Sequence, residues 1–510
     1  MPDLSNYRPP GVYVNDESLP YADPINAAFG EHLMCIVAPA RGFQAAQETL
    51  TLDSAVPAVL SHPGVNQDTT FVVKTMGGIT LQLNTDYVVS VDSSRPDAPV
   101  TSVKRLPTNA STVSPNGLAN GEPVVISYTY TDASYWAPTV CNSFSDVVSK
   151  YGAPMSTQVG GDQITSPMSF AAQAAFENGA TRIICVATRG TSNSSWQTSY
   201  SDAYKSIVAM QSVSVLVPIF PTSISSNAAT LRSFLVDLRS HVVSAYTEGN
   251  GRLAIAGAGV GFDEKSNPFE QVAQAVSNKR VSVVYPTRMQ TYNANTSQVV
   301  EVDGAYGAAA VAGRLMMNPV EQGVTRQVLN TVTGIPGAVS QKMTKSFMNN
   351  LSSSGVLVCM PNTSGRVVVR HGLTTDMTSL FTREISLVRI GDTLLQDIQI
   401  GMDAAGLIGS PIVPETTMRV QSILVGALEQ EVANQVIVNY AGVTVSQRIY
   451  PGGDPSIIDC SFSYKPAAPL NYINVSFSLN MNIGVVAMAD AGTAPDADLD
   501  GPNSTNSTLA

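Results

Sequence analysis

Residues 1–24 set a β-prone run, Val12-Tyr13-Val14, inside a Pro-rich stretch (Arg8-Pro9-Pro10-Gly11, Pro20, Pro24) that is too short to bury it. A strand needs partners for its backbone N–H and C=O groups, so this end of the chain must lie on something else. The other end poses the reverse problem. Ile458, Cys460, Phe462 and Tyr464 alternate with Asp459, Ser461, Ser463 and Lys465. Further on, Ile473, Val475, Phe477, Leu479 and Met481 alternate with Asn474, Ser476, Ser478 and Asn480. The period of two predicts strands over 457–466 and 472–481, paired as a hairpin with one apolar face and two open edges. A two-stranded hairpin is marginal in water, and open edges invite added strands. Donating the arm to a neighbouring copy satisfies both needs by β-augmentation. Such a contact joins different surfaces of identical subunits, so it propagates into rings or open helices. The residues expected to carry strand exchange are Val12, Tyr13, Val14, Ile458, Phe462, Tyr464, Ile473, Val475, Phe477 and Leu479.

Between the ends the texture changes twice. Residues 46–134 read as an inserted all-β domain. Thr70–Val73, Tyr87–Val89 and Val124–Tyr130 are strand-like, separated by turn residues such as Gly77-Gly78 and Asn120-Gly121. Residues 25–45 with 135–360 read as a central α/β domain with a largely parallel sheet. Apolar runs at Ile183–Ala187, Val213–Phe220, Leu253–Ala256 and Val281–Tyr285 alternate with helical stretches. One helix opens at Ser166-Pro167 and ends at Gly179, and another spans Asn227 to Tyr246. Residues 361–488 read as α+β, with helices expected over 378–400 and 416–432, the second capped by Thr416 or Thr417. Residues 489–510 have no hydrophobic pattern and read as a disordered acidic tail.

Charged residues make up only 13% of the 510, about half of the usual ~25%, so much of the surface is expected to end against partners. The net charge of −11 and the lack of a basic stripe argue against nucleic acid as a partner. No run approaches the ~18 apolar residues of a membrane span, and no signal peptide is visible, so synthesis and retention in a cytoplasm are expected. The five scattered cysteines form no CxxC pair and read as core hydrophobes in a reducing compartment.

Each candidate for chemistry fails on spacing. Gly190-Thr191-Ser192 and His371-Gly372 resemble the nucleophile and base steps of subtilisin-type proteases, but those run Asp, His, Ser, and here Ser192 comes first. Ser192 is expected in a polar loop. Gly257-Ala-Gly259-Val-Gly261 lacks the dinucleotide spacing, and Asp263 and Glu264 would repel a phosphate, leaving a flexible strand exit. Asp496, Asp498 and Asp500 start a calcium-like loop, but Ser507 stands where its twelfth-position Glu belongs. The four histidines show no metal spacing, and His241 reads as a surface or satisfied residue. No catalytic residue, metal or cofactor is expected. A hydrolase on the α/β scaffold and a monomeric surface adhesin stand as alternatives.

Several stretches resemble the contractile tail sheath family. Arg8-Pro-Pro-Gly-Val-Tyr-Val14 with Pro24-Ile25 is similar to its opening, and Val37-Ala-Pro-Ala-Arg-Gly42 to the end of its first strand. Val124 to Asp132, then Ser143 to Gly152, resembles the exit from its β insertion. Asp303-Gly304-Ala305 to Arg314 and Gly323-Val324 resemble its helix and Gly-Val step, and Asn471 to Phe477 its C-terminus. The order holds over about 470 residues, although Arg366 to Gly372 lacks the family's Trp. The resemblance implies a central subtilisin-like, non-catalytic domain and an outward β insertion. It also implies a C-terminal inner domain and terminal arms that complete neighbours' sheets. It further implies a helical homo-oligomer of stacked hexameric rings around a tail tube protein, with baseplate and tail terminator partners. The setting implied is a virion tail, made in the cytoplasm of a bacterial host, that contracts to drive the tube through an envelope. A C-terminal helix would face the tube, with Arg419, Glu429 and Glu431 as candidates.

Overall fold

The computed structural model describes residues 14–15, 24–25, 32–40, 44–62, 64–65, 71–92, 100–130, 135–160, 163–190, 192–449, 454–473 and 476. Val12, Tyr13, Val475, Phe477, Leu479 and the whole of 489–510, including the calcium-like Asp496 to Asp500, lie outside the described residues. The first strands are short. β1 (Val14–Asn15) pairs antiparallel with β2 (Pro24–Ile25), Val14 opposite Ile25. The expectation that the arm has no local sheet is therefore corrected at Val14. Closing the short segment between the two strands costs little entropy.

β3 (Leu33–Pro39) is apolar along nearly its whole length and becomes an inner strand of the central sheet. The chain then leaves for β4 (Gln44–Leu52), β5 (Ala58–Val59), β6 (Val72–Thr75), β7 (Tyr87–Asp92), β8 (Val100–Arg105) and β9 (Glu122–Tyr130). These form two antiparallel three-stranded sheets, β4-β9-β6 and β5-β8-β7. Val124, Ile126 and Tyr128 of β9 point into a shared core with Leu52, Val73, Tyr87, Val103 and Leu118, as the alternation predicts. Arg105 is fully buried there; its guanidinium donates to the carbonyls of Leu118, Pro107 and Thr112, which gives a buried cation the acceptors it needs.

Back in the central layer follow β10 (Thr139–Cys141), α1 (Phe144–Tyr151), α2 (Pro167–Glu177), β11 (Ile183–Thr188), α3 (Asn193–Ile207), β12 (Val213–Pro218), α4 (Thr222–Ser225), α5 (Ala228–Thr247), β13 (Leu253–Gly257), α6 (Glu270–Val276) and β14 (Val281–Tyr285). The hairpin β15 (Arg288–Asn293) and β16 (Gln298–Asp303) comes next. After it come α7 (Ala305–Met317), α8 (Gly337–Ser340), α9 (Lys345–Ser353), β17 (Val356–Pro361) and β18 (Val367–Val369). The sheet order is β10-β11-β3-β12-β13-β14-β17-β18, with the six inner strands parallel and both edges antiparallel. A parallel sheet must be covered on both faces. One core takes α2 and α7, and the other takes α3, α5, α6 and α9. Ser166 accepts from the Ser169 amide to cap α2, with Pro167 in the first turn, and Asn227 caps α5. Gly257 and Gly259 are not a flexible exit, which corrects that expectation. A Cβ on Gly257 would stand 2.8 Å from the Gly304 carbonyl, and one on Gly259 would strike Ser225, so these glycines permit close backbone packing.

The chain continues through α10 (Leu380–Arg383), α11 (Ile385–Ala404), α12 (Pro414–Ala433), β19 (Ile437–Gln447) and β20 (Ile458–Pro466). α12 begins two residues earlier than expected. Pro414, with φ already suited to the first turn, opens it in place of a Thr cap. By contact, residues 1–469 form one compact unit and 470–510 a second.

Candidate assembly surface

The expected hairpin is corrected at its described residues: β20 pairs antiparallel with β19, and Ile473 lies outside any strand and is 76% exposed, while 474–475 and 477–481 lie outside the described residues. The β19 segment, Ile437-Val-Asn-Tyr-Ala-Gly-Val-Thr-Val445, is rich in β-branched residues, the signal that reading for clean alternation overlooks. Its period is broken at Gly442-Val443, where the register shifts by one residue. Gly442, with φ +65°, takes the left-handed position of a bulge. The bulge returns Val443 and Val445 to the same face as Tyr440.

That face rests on two helices. α11 presents Leu387, Ile390, Leu394, Ile398 and Met402 at helical spacing, and α12 presents Val420, Leu424 and Leu428. Tyr440, Val443, Val445, Ile458, Phe462 and Tyr464 pack onto them from the sheet. Gly391 leaves room for Tyr464, since a Cβ there would stand 3.2 Å from its hydroxyl. The opposite face carries Ser461 and Ser463, and Val438 and Cys460 are exposed as well. Cys460 thereby departs from the buried role expected of the cysteines; Cys35, Cys141, Cys185 and Cys359 are buried and unbridged. Among the described residues, β19 and β20 pair only with each other, so each presents one edge of unpaired backbone groups. Ile458, Phe462 and Tyr464 are thus brought together on the helix-packed face of this sheet. Val14 is in the β1–β2 pair instead.

The three helix candidates separate. Arg419 is exposed on α12 and donates to the Ala405 carbonyl at 3.3 Å, and Glu429 is exposed beside the Tyr440 hydroxyl at 3.5 Å. Glu431 is only 4% exposed, which corrects its assignment to an outward face. It continues the stripe of Leu424 and Leu428, and its carboxyl meets Asp397 of α11. Burial first, then the Glu431 charge and hydrogen bond, push the Asp397 carboxyl up to about 6.

The residues weighed for catalysis do not converge. Ser192 is not in a loop, which corrects that expectation: its hydroxyl accepts from the Ser195 amide and caps α3. His371 Nε2 lies 2.5 Å from Glu384, which is itself buried. His241 is buried and stacked on Tyr204, and burial beside Arg252 pushes its pKa down to about 3. Among the described residues there is no cluster of His, Cys, Asp or Glu fit to hold a metal, and no helix is long and apolar enough to cross a membrane.

No family model matches the chain. The chain is 29% identical over 448 residues to a protein of Mycobacterium phage Bxz1 described as a tail sheath protein, covering 86% of this chain and 73% of that one. Its fold is similar to a chain of the contracted helical sheath of the anti-feeding prophage, with a TM-score of 0.53 at 13% identity. That match spans 93% of this chain and all of the other. A chain of the anti-feeding prophage baseplate matches with a TM-score of 0.51 at 16% identity, over 68% of this chain and 89% of that one.

Proposed function

We infer that this chain, a homologue of the phage tail sheath proteins, is the structural subunit of a contractile sheath. The observation that carries the reading beyond homology is the two-stranded β19–β20 sheet, backed by α11 and α12 and, among the described residues, open at both edges. Strands added from neighbouring copies would satisfy its backbone groups. The segments around Val12–Val14 and Ile473–Leu479 are the donors we propose, each reaching a different copy. The links are then heterologous and continue as a helix. The bodies are free to rotate while the strands hold, and contraction runs downhill as more surface is buried between subunits.

The finer features belong to the same proposal. The eight-stranded layer serves as the rigid, subtilisin-like but non-catalytic body, with Ser192 used as a helix cap. The sheets of residues 44–130 form the outer insertion. Exposed Arg419 and Glu429 are the remaining candidates for contact with a tail tube. Stacked hexameric rings, baseplate and terminator partners, and synthesis in a bacterial cytoplasm complete the picture.

Negative-stain microscopy of the purified protein tests it. Hollow sheath-like tubes are expected, and deleting residues 1–16 should leave a folded monomer that forms none. Undiminished tubes from the truncated chain would overturn strand exchange.

A further inference from the structure

At the start of β3 and β13, where α11 crosses the end of the central sheet, a cleft opens that assembly through strand edges does not use. His32, Asn250, Arg389, Asp392 and Thr393 line it. Among the described residues, its two charged side chains are engaged differently. Asp392 is already engaged, because both of its oxygens accept from Arg280. Among the described residues, Arg389 has no such bidentate partner. One guanidinium nitrogen, Nη2, donates to the Asn318 carbonyl at 3.4 Å; the other, Nη1, is buried without a hydrogen-bond partner. Burial pushes Arg389 down to about 10, with the Glu321 charge opposing the shift. Burial, reinforced by the Arg389 charge, also lowers the pKa of His32, so at neutral pH its ring is uncharged and has one N–H to donate. Asn250 donates its amide to the Val208 carbonyl at 3.0 Å, and its Oδ1 is an acceptor that takes no part in holding an anion.

We propose that this cleft binds a carboxylate, with Arg389 as the anchoring cation and His32 and Thr393 as neutral donors beside it. An unpartnered guanidinium nitrogen is a strong donor to a carboxylate oxygen. Asp392 does not oppose the ligand, because Arg280 neutralises it. The carboxylate can be an Asp or Glu side chain of a second copy or a small free acid. With 39 acidic residues against 28 basic ones, another copy offers many such side chains. The side-chain source rests on the assembly reading above; the free-acid source does not.

Two measurements separate the sources. The first is a thermal melt of the full chain, below the concentration at which tubes form, titrated with glutarate at constant ionic strength. The second is the critical concentration for tube formation by the full chain. Each compares wild-type Arg389 with Arg389→Gln and the charge-preserving Arg389→Lys, with circular dichroism to verify folding. A saturable rise in melting temperature that Arg389→Gln abolishes marks a free-acid site. A tenfold or greater rise in critical concentration in Arg389→Gln, partly restored in Arg389→Lys, marks a side chain from a second copy. If neither quantity distinguishes folded Arg389→Gln or Arg389→Lys from wild type, the proposal is wrong. In that case tube formation by all three would leave the sheath assignment intact.

Discussion

Arg280 reaches both carboxylate oxygens of Asp392, at 2.7 and 2.8 Å, and its guanidinium also lies 3.7 Å from the centre of the Tyr246 ring. Arg280 precedes β14 and Asp392 sits on α11, so one side chain fastens the helix that carries the β19–β20 sheet to the central layer. Gly251 makes this possible, because a Cβ there would press to 3.4 Å from the Asp392 carboxyl. Removing one member of a buried pair strands the other charge. Arg280 is 3% exposed and Asp392 24%, so partial solvation moderates the loss. Arg280→Met should cost about 3 kcal/mol in denaturant unfolding, near the low end of the usual ~3–5 for such a change. Arg280→Lys should recover only part of it, because an ammonium lacks the planar fork. Wild-type stability in Arg280→Met would disprove the fastening role.

The Asp397–Glu431 pair predicts an unusual pH dependence. Asp397 has a folded pKa raised to about 6 from an ordinary value near 4, so the folded chain holds this proton more tightly than the unfolded one. Its stabilising contribution is complete below about pH 4 and is lost as pH rises through 6. The groups placed against it are Glu431 of α12 and, beyond that, the Asn434 amide, which reaches Glu431 at 3.4 Å. Asp397→Asn keeps a hydrogen-bond donor and removes the repulsion. It should stabilise the protein at pH 8 by roughly 1–2 kcal/mol, discounted for partial exposure, and have little effect at pH 4. Melting temperatures from pH 4 to 8 test this. A variant less stable than wild type at pH 8 would show that the pair is ionised and favourably solvated.

Gly313 on α7 is fixed by proximity to α2. A Cβ at this position would stand 2.3 Å from the Ala175 carbonyl oxygen, and backbone cannot move aside as a side chain can. Gly313→Ala would raise helix propensity by up to about 1 kcal/mol in an open helix. Here overpacking should reverse the sign, with a net loss of roughly 1–3 kcal/mol. Gly426 on α12 is the control, because a Cβ there would meet nothing within 4 Å. Gly426→Ala should be neutral or slightly stabilising. Equal responses at the two positions would remove the packing argument.

Much of the central layer was legible because a covered parallel strand has a distinctive composition. Ile183–Thr188, between the side-chain-capped α2 and α3, and Val281–Tyr285 are almost wholly apolar, so the sequence pattern and the tertiary role coincide. The C-terminal sheet was only half legible. β20 has an unbroken alternation, but the bulge at Gly442-Val443 shifts β19 out of phase, and a period-two search loses it. The segment at 472–481 then takes its place as the apparent partner. Glu431 shows the converse limit. Its position on the apolar stripe of α12 was visible, but only the facing Asp397 explains how a carboxyl occupies it. The Arg389 cleft has no sequence signature, since its residues come from segments far apart in the chain.

The last prediction separates a sheet that serves assembly from one that serves only its own fold. Val438 of β19 is 52% exposed, whereas Phe462 of β20 packs against the helices. A surface change away from buried contacts moves stability by about 0.5 kcal/mol or less. Val438→Lys should therefore leave the monomer's unfolding almost untouched. If neighbouring strands join this sheet, the new charge lies along the growing layer and should impede their addition, as edge lysines do in natural sheets. Phe462→Ala should do the reverse in order of cause. It opens a cavity under the sheet, costs the monomer roughly 2–3 kcal/mol, and weakens tubes only through that loss. Unfolding in urea and tube yield by microscopy, measured on both variants, distinguish the two routes. Tubes that form normally from Val438→Lys while Phe462→Ala loses both stability and tubes would mean that the sheet is needed for the fold and not for strand addition.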